Sequence, residues 1–83
     1  MSLEIKVLGP GCAKCKTLER LTHEAVNESG LDAAVTKIDD IVEIMQYNII
    51  STPALVINGK VVVKGMVPSK EEIKKHITAA THG

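Results

Sequence analysis

The chain has 83 residues, of which 45% are hydrophobic and 1% aromatic, so its core has to be built from aliphatic side chains. Ten basic side chains balance ten acidic ones, and this balance removes the electrostatic signature expected of a nucleic-acid-binding protein. No apolar run approaches the ~18 residues that span a bilayer, and no basic leader segment opens the chain. We therefore expect a single domain over residues 1–83, cytoplasmic and monomeric, that binds neither nucleic acid nor membrane.

The first predicted element is a strand over residues 3–8, where apolar and charged side chains alternate. Gly-Pro-Gly at residues 9–11 breaks this pattern. From Cys12 to about Ser29 the apolar positions follow helical spacing, and Gly30 suits the left-handed end of that helix.

Cys12 and Cys15 are the two cysteines of the chain, and they lie at the start of this predicted helix. Closing so short a loop gives little entropic stabilisation, so a structural disulfide would be poorly placed here. The unpaired N–H groups of a helix start, together with Lys14 and Lys16, favour a thiolate at Cys12. Cys15, one turn further along, is expected to be more buried. The spacing thus indicates redox chemistry, with Cys12 as nucleophile and Cys15 as the resolving thiol.

The middle of the chain predicts a second strand and a short helix. Residues 33–38 are rich in β-branched side chains and favour a strand. Residues 40–43 read Asp-x-x-Glu, a variant of the pattern that opens helices, and predict a helix to about Tyr47. Asn48 is suited to end that helix in the left-handed conformation.

The last third of the chain predicts a hairpin followed by a helix. Two β-rich runs, 54–57 and 60–64, are joined by an Asn-Gly pair, the strongest short-range signal of a tight hairpin. Residues 69–72, Ser-Lys-Glu-Glu, form a capping box that opens a final helix. The predicted order is strand, helix, strand, helix, strand, strand, helix.

This order, with Cys-x-x-Cys after the first strand and Thr52-Pro53 opening the third, resembles a minimal thioredoxin fold. More closely, Gly-Cys-Ala-Lys-Cys at 11–15 and Ser-Thr-Pro-Ala-Leu-Val-Ile-Asn-Gly-Lys at 51–60 resemble the small redox-active disulfide proteins of archaea and bacteria, the glutaredoxin-sized members of the thioredoxin-like family. The resemblance implies an α/β fold in which three helices flank a four-stranded mixed sheet. It also implies a thiol-disulfide oxidoreductase.

The resemblance further implies which residues form the site. Pro53 is expected to follow a cis peptide bond and to lie against the cysteine pair, and the Thr52 backbone is expected to pair with the substrate. Gly11, Ala13 and Lys14 are supporting positions around the cysteines. The implied partners are protein disulfide substrates and a thioredoxin reductase or similar electron donor, with no cofactor of the protein's own.

Lys6 is a departure from the thioredoxin pattern. It stands six residues before Cys12, where thioredoxins bury an acid thought to take up a proton from the second cysteine. The sequence therefore leaves the proton acceptor for Cys15 open.

The alternative interpretation is a soft-metal carrier that binds Cu(I) or Zn through the same two thiolates. Carriers of the ferredoxin-like type also have Cys-x-x-Cys after their first strand, but run strand, helix, strand, strand, helix, strand. They usually have Met two residues before the first cysteine, where this chain has Pro10. The three histidines are interpreted as surface residues, so no metal site is predicted; they are His23, His76 and His82.

Overall fold

The computed structural model describes residues 3–9, 13–49 and 51–82. Over these ranges the elements are β1 (Leu3–Leu8), α1 (Ala13–Ser29), β2 (Ala33–Ile38), α2 (Ile41–Met45), β3 (Ala54–Ile57), β4 (Lys60–Lys64) and α3 (Lys70–His82). The strands form one four-stranded sheet in the order β2-β1-β3-β4. β1 runs parallel to β2 and antiparallel to β3, which is antiparallel to β4. The predicted α/β fold, a four-stranded mixed sheet with three helices, is confirmed, and the ferredoxin-like element order is excluded.

The predicted helix ends are formed by the residues that the sequence indicated. The Asp40 side chain accepts a hydrogen bond from the Val42 N–H (2.9 Å), which caps α2. The Ser69 hydroxyl accepts one from the Glu72 N–H (3.2 Å) and caps α3 in the same way. Gly30 has a φ of 66° and follows the end of α1.

The predicted hairpin joins β3 to β4 and is tied to the start of β1. Asn58 and Gly59 have φ values of 51° and 82°, as a two-residue turn of the type favoured by Asn-Gly requires. The Asn58 N–H donates to the Glu4 carbonyl (2.7 Å), and the Asn58 side-chain oxygen accepts from the Glu4 N–H (3.0 Å). This reciprocal pair fixes the hairpin at the end of the sheet opposite Gly9.

The apolar core lies on both faces of the sheet. We call the side that packs against α1 and α3 the α1/α3 face; its buried cluster consists of Leu3, Ile5, Val7, Leu18, Ala25, Leu55, Ile57, Val63, Ile73 and Ile77. We call the other side the α2 face; its smaller buried cluster consists of Leu8, Ile44, Ile49, Ala54 and Val56. Alternation along β1 sends odd-numbered side chains to the first face and even-numbered ones to the second.

Ion pairs join α1 to α3 at the surface. The Glu28 carboxylate bonds to the ammonium groups of Lys70 and, at 2.6 Å, Lys74. Glu24 adds a longer pair with Lys70 (3.7 Å). The hydrogen bond from Lys70, followed by that from Lys74, lowers the pKa of Glu28 to about 2.

None of α1, α2 and α3, the helices in the described part of the chain, combines the length and apolarity needed to cross a bilayer.

Candidate active site

Cys15 lies in the first turn of α1 and is buried, with 1% of its surface exposed. Leu18, three residues further along the helix, is fully buried, so both side chains lie on the inner side of α1. The expectation that Cys15 is a buried thiol is confirmed.

Gly9 ends β1 at the point where Cys15 meets the sheet. Its N–H donates to the Ile38 carbonyl (2.9 Å), which extends the contact between β1 and β2 by one residue. A Cβ atom built on Gly9 would overlap the Cys15 Sγ, lie 2.9 Å from the Cys15 Cβ and lie 4.0 Å from the Pro53 Cα. Gly9 is therefore the residue where the cysteine helix and the start of β3 come together. The sequence marked it only as the end of a strand.

Pro53 is buried, and its peptide bond with Thr52 is cis, as the resemblance implied. The Pro53 carbonyl accepts a hydrogen bond from the Gly65 N–H (2.9 Å). Proline has no backbone N–H to donate. The nearest backbone N–H before it in the chain is that of Thr52. Thr52 is partly exposed.

The segment after β4 lies beside this loop. Gly65 has a φ of 76°, and a Cβ atom on it would lie 3.0 Å from the Ser51 Cβ. Met66 follows and is 54% exposed. Ile49, in contrast, is buried in the α2-face cluster. Among the described residues of these two segments, Met66 is thus an exposed large apolar side chain.

Several predicted site residues surround Cys15 in sequence. Ala13 and Lys14 open α1 and are both exposed. Gly11 and Cys12 lie outside the described residues. The structure thus brings Cys15 and Pro53 close to Gly9, with Thr52 next to Pro53 in the chain and Lys14 at the helix start.

Lys6 lies on the α2 face, because Leu8, two residues further along β1, belongs to the cluster there. The Lys6 ammonium donates to the Tyr47 hydroxyl (3.2 Å), pairs with the Glu4 carboxylate (3.2 Å) and lies 5.9 Å from the Tyr47 ring centroid. The hydrogen bond to Tyr47, followed by that to Glu4, raises the pKa of Lys6 above 10.5. The Cβ direction of Gly9, toward Cys15, is on the other face of the strand. The position that holds an acid in thioredoxins therefore carries an ammonium group directed away from Cys15.

Metal-ligating side chains are dispersed. Across residues 3–9, 13–49 and 51–82, no group of three or more His, Cys, Asp or Glu side chains is placed to hold a metal ion.

A thioredoxin-like sheet with a cis-proline beside a buried helix-start cysteine defines a class of thiol redox proteins. The family model of the thioredoxin domain matches residues 3–78. The chain belongs to the thioredoxin family, which confirms the resemblance drawn from the two motifs.

Two archaeal relatives are similar over nearly their whole length. The chain is 41% identical over 73 residues to a thioredoxin of Methanothermobacter thermautotrophicus, covering 88% of this chain and 95% of the relative. It is 34% identical over 79 residues to a thioredoxin of Methanocaldococcus jannaschii, covering 95% of this chain and 91% of the relative. The crystal structure of Deadhead, a germline-specific thioredoxin of Drosophila melanogaster, matches with a TM-score of 0.67 and 18% identity, covering 94% of this chain and 80% of that one. At that identity the last comparison supports the fold.

Proposed function

We propose that the protein is a thiol-disulfide oxidoreductase that reduces protein disulfides through Cys12 and Cys15. The observation that carries the proposal is the burial of Cys15 in the first turn of α1, beside Gly9 and Pro53. A thiol that is 1% exposed does not reach a disulfide on another folded protein. A second thiol has to make the first contact, and Cys12 is three residues earlier in the chain.

The reaction has two thiol-disulfide exchange steps. The Cys12 thiolate attacks one sulfur of the substrate disulfide; a Cys12–substrate bond forms, and the second substrate sulfur leaves as a thiolate that takes up a proton. Cys15 then attacks the Cys12 sulfur, the mixed disulfide breaks, and the remaining substrate sulfur leaves as a thiol. Two electrons pass to the substrate, and the protein is left with a Cys12–Cys15 disulfide.

The proton of Cys15 goes, in our proposal, to the substrate thiolate that leaves in the second step. Lys6 does not serve as acceptor near neutral pH, because its pKa is raised and it already carries its proton. Its ammonium is also bonded to Tyr47 and Glu4 on the α2 face. The leaving thiolate is formed next to Cys12, so the transfer needs no buried acid.

Substrate binding is assigned to Thr52 and Pro53. Pro53 offers no N–H, and its carbonyl is bonded to Gly65, so the backbone of Thr52 is left to pair with an extended segment of the partner. Lys14 is exposed at the start of α1 and adds positive charge near the nucleophile, with Ala13 and Gly11 as small neighbours. We further propose that the protein works as a cytoplasmic monomer without a bound cofactor and is recharged by a thioredoxin reductase or a similar dithiol donor.

The test is reduction of insulin disulfides with dithiothreitol as electron source. The wild-type protein is expected to accelerate the reaction, and the Cys12→Ser variant is expected to give the rate of dithiothreitol alone. Thr17→Ser, a conservative change further along α1, serves as the matched control and should keep wild-type activity. Equal rates for wild type and Cys12→Ser would remove the proposal. In that event, tight 1:1 binding of Cu(I) or Zn(II) that depends on both cysteines would favour the soft-metal carrier instead.

A further inference from the structure

We propose that Gly9 is a positioning residue for Cys15. Its missing side chain creates the space that holds the Cys15 thiol against the end of β1 and thereby sets how readily that thiol reacts. The consequence for turnover rests on the proposed function, whereas the placement of the thiol does not.

A side chain at Gly9 would overlap Cys15. An added Cβ would clash with the Cys15 Sγ, an atom that rotation about χ1 can move. It would also lie 2.9 Å from the Cys15 Cβ, which is closer than real Cβ atoms approach one another. Because that Cβ is fixed to the backbone of α1, rotation of the thiol does not relieve the second contact.

The backbone of Gly9 is bonded to β2 and lies near the start of β3. The Gly9 N–H is bonded to the Ile38 carbonyl (2.9 Å) on one side. The Pro53 Cα lies 4.0 Å from the position of the added Cβ on another. Retreat of the Gly9 backbone from Cys15 would disturb its bond to Ile38, so we expect a methyl group at Gly9 to push the first turn of α1, and Cys15 with it, away from the sheet.

The φ angle of Gly9 does not itself require glycine. Gly30, Gly59 and Gly65 have positive φ values, and Gly9 is not in that set. The φ angle of Gly9 therefore does not exclude alanine. The absence of a side chain instead makes room for the close approach of Cys15. Gly30 is the opposite case, with a φ of 66° and nothing within 4 Å of an added Cβ.

The chemical consequence lies in the resolving step. Cys15 has to form a bond to the Cys12 sulfur while the bond from Cys12 to the substrate breaks and the Cys15 proton passes to the leaving sulfur. This attack requires a sulfur held at a set position. A shift of Cys15 outward makes the thiol more accessible to small reagents and less well placed for the exchange.

The direct test measures Cys15 alone, in a Cys12→Ser background. Alkylation by iodoacetamide in the folded protein is expected to be about tenfold faster, or more, when Gly9→Ala is added, because the thiol loses its buried position. Gly30→Ala in the same background is the matched control: it places a side chain at a positive φ remote from Cys15 and should leave the alkylation rate unchanged. A rate for Gly9→Ala equal to or lower than that of its parent would overturn the proposal.

A second measurement keeps the proposal testable if Gly9→Ala folds poorly. The drop in thermal midpoint caused by Gly9→Ala is expected to be smaller in a Cys15→Gly background, where both the Sγ and the Cβ are absent, than in the wild type. Equal drops in the two backgrounds would show that Gly9 and Cys15 are not coupled and would overturn the proposal.

The redox readout uses the protein with both cysteines. Gly9→Ala is expected to change the equilibrium constant between dithiol and disulfide, measured against glutathione, by about tenfold, or about 30 mV; Gly30→Ala should not change it. If Gly9→Ala exposes Cys15 but the wild type reduces no insulin, the placement of the thiol holds and the proposed function fails. If the wild type reduces insulin but Gly9→Ala alters neither alkylation nor the equilibrium constant, the proposal for Gly9 fails and the function holds.

Discussion

The α1/α3 face and the α2 face of the sheet are covered by helices of very different size. The first is covered by helices of 17 and 13 residues, and the second by a helix of 5 residues. Within α2, Ile44 is the buried residue, whereas three apolar side chains are more than half exposed: Ile41, Val42 and Met45. Since burial of apolar surface is the main stabilising term, the α1/α3 face carries most of the stability of the fold.

The two faces also supply different parts of the site. Cys15 comes from α1, so the buried thiol is held by the larger core. The Ser51–Pro53 loop follows Ile49 and the α2-face cluster, so the backbone assigned to the substrate comes from the smaller one. We therefore expect the buried Cys15 thiol to be held by more packing than the loop proposed to recognise the substrate.

The largest effect is expected from Leu18→Ala on the α1/α3 face. Leu18 is fully buried next to the turn that holds Cys15, and the cavity left by truncation should lower the free energy of unfolding by about 2–5 kcal/mol. Val42→Ala in α2, where the side chain is 66% exposed, is the control and should change it by about 0.5 kcal/mol or less. Denaturant unfolding measures both, and comparable losses would break the distinction between the faces.

A smaller and more local effect is expected from Ile44→Ala on the α2 face. Ile44 is the one buried side chain of α2 in the described structure. Its truncation should lower the free energy of unfolding by about 2 kcal/mol, the lower end of the range for such substitutions. Amide hydrogen exchange should accelerate across residues 41–48 and stay unchanged in α1. Equal acceleration in α1 would show that the two faces unfold as one unit.

The pH dependence of stability tests the surface ion pairs that join α1 to α3 on the α1/α3 face. The pKa of Glu28 is lowered from 4.5 to about 2 in the folded chain. Its ion pairs with Lys70 and Lys74 therefore contribute stability that is present above pH 4.5 and is lost as the pH falls toward 2. In the Glu28→Gln variant, the thermal midpoint should fall less steeply than in the wild type as the pH is lowered from 4.5 toward 2. Because the pairs are solvent-exposed, 1 M salt should reduce this difference between variant and wild type. An identical acid limb in wild type and variant would contradict this assignment.

The smallest effect is expected on the α2 face, at Tyr47→Phe. The change keeps the ring but removes the hydroxyl that accepts from Lys6, so the pKa of Lys6 should fall back toward 10.5. The raised pKa means that this interaction stabilises the fold below pH 10.5 and is lost above it. NMR titration of the Lys6 side chain in wild type and Tyr47→Phe measures the shift. An unchanged Lys6 titration would show that the hydroxyl does not hold the ammonium.

Local features of the fold could be predicted from the sequence because each has a short-range cause. The Asn58-Gly59 turn follows from backbone conformations that few residues adopt, and the caps at Asp40 and Ser69 follow from side-chain oxygens within reach of nearby N–H groups. The burial of Cys15 followed from its helical phase with Leu18. These predictions did not depend on how the elements pack.

Features that depend on packing between distant segments were not predicted. Gly9 was interpreted only as a strand end, because its contact with Cys15 exists only once α1 folds back against β1. The Lys6–Tyr47 pair joins residues 41 positions apart, and no local pattern indicates it. Thr22 was missed as a buried residue because its hydroxyl bonds back to the Leu18 carbonyl (2.7 Å), which lets a polar side chain lie in the core.

In the proposed mechanism, Cys12 attacks a protein disulfide and Cys15 resolves the mixed disulfide that forms. The most direct measurement is mass spectrometry of covalent complexes formed with a disulfide-containing protein such as insulin. Cys15→Ser is expected to accumulate a mixed disulfide through Cys12, wild type should show it only transiently, and Cys12→Ser should form none because its one thiol is buried. A stable complex through Cys15 in Cys12→Ser, or no complex in Cys15→Ser, would contradict the account.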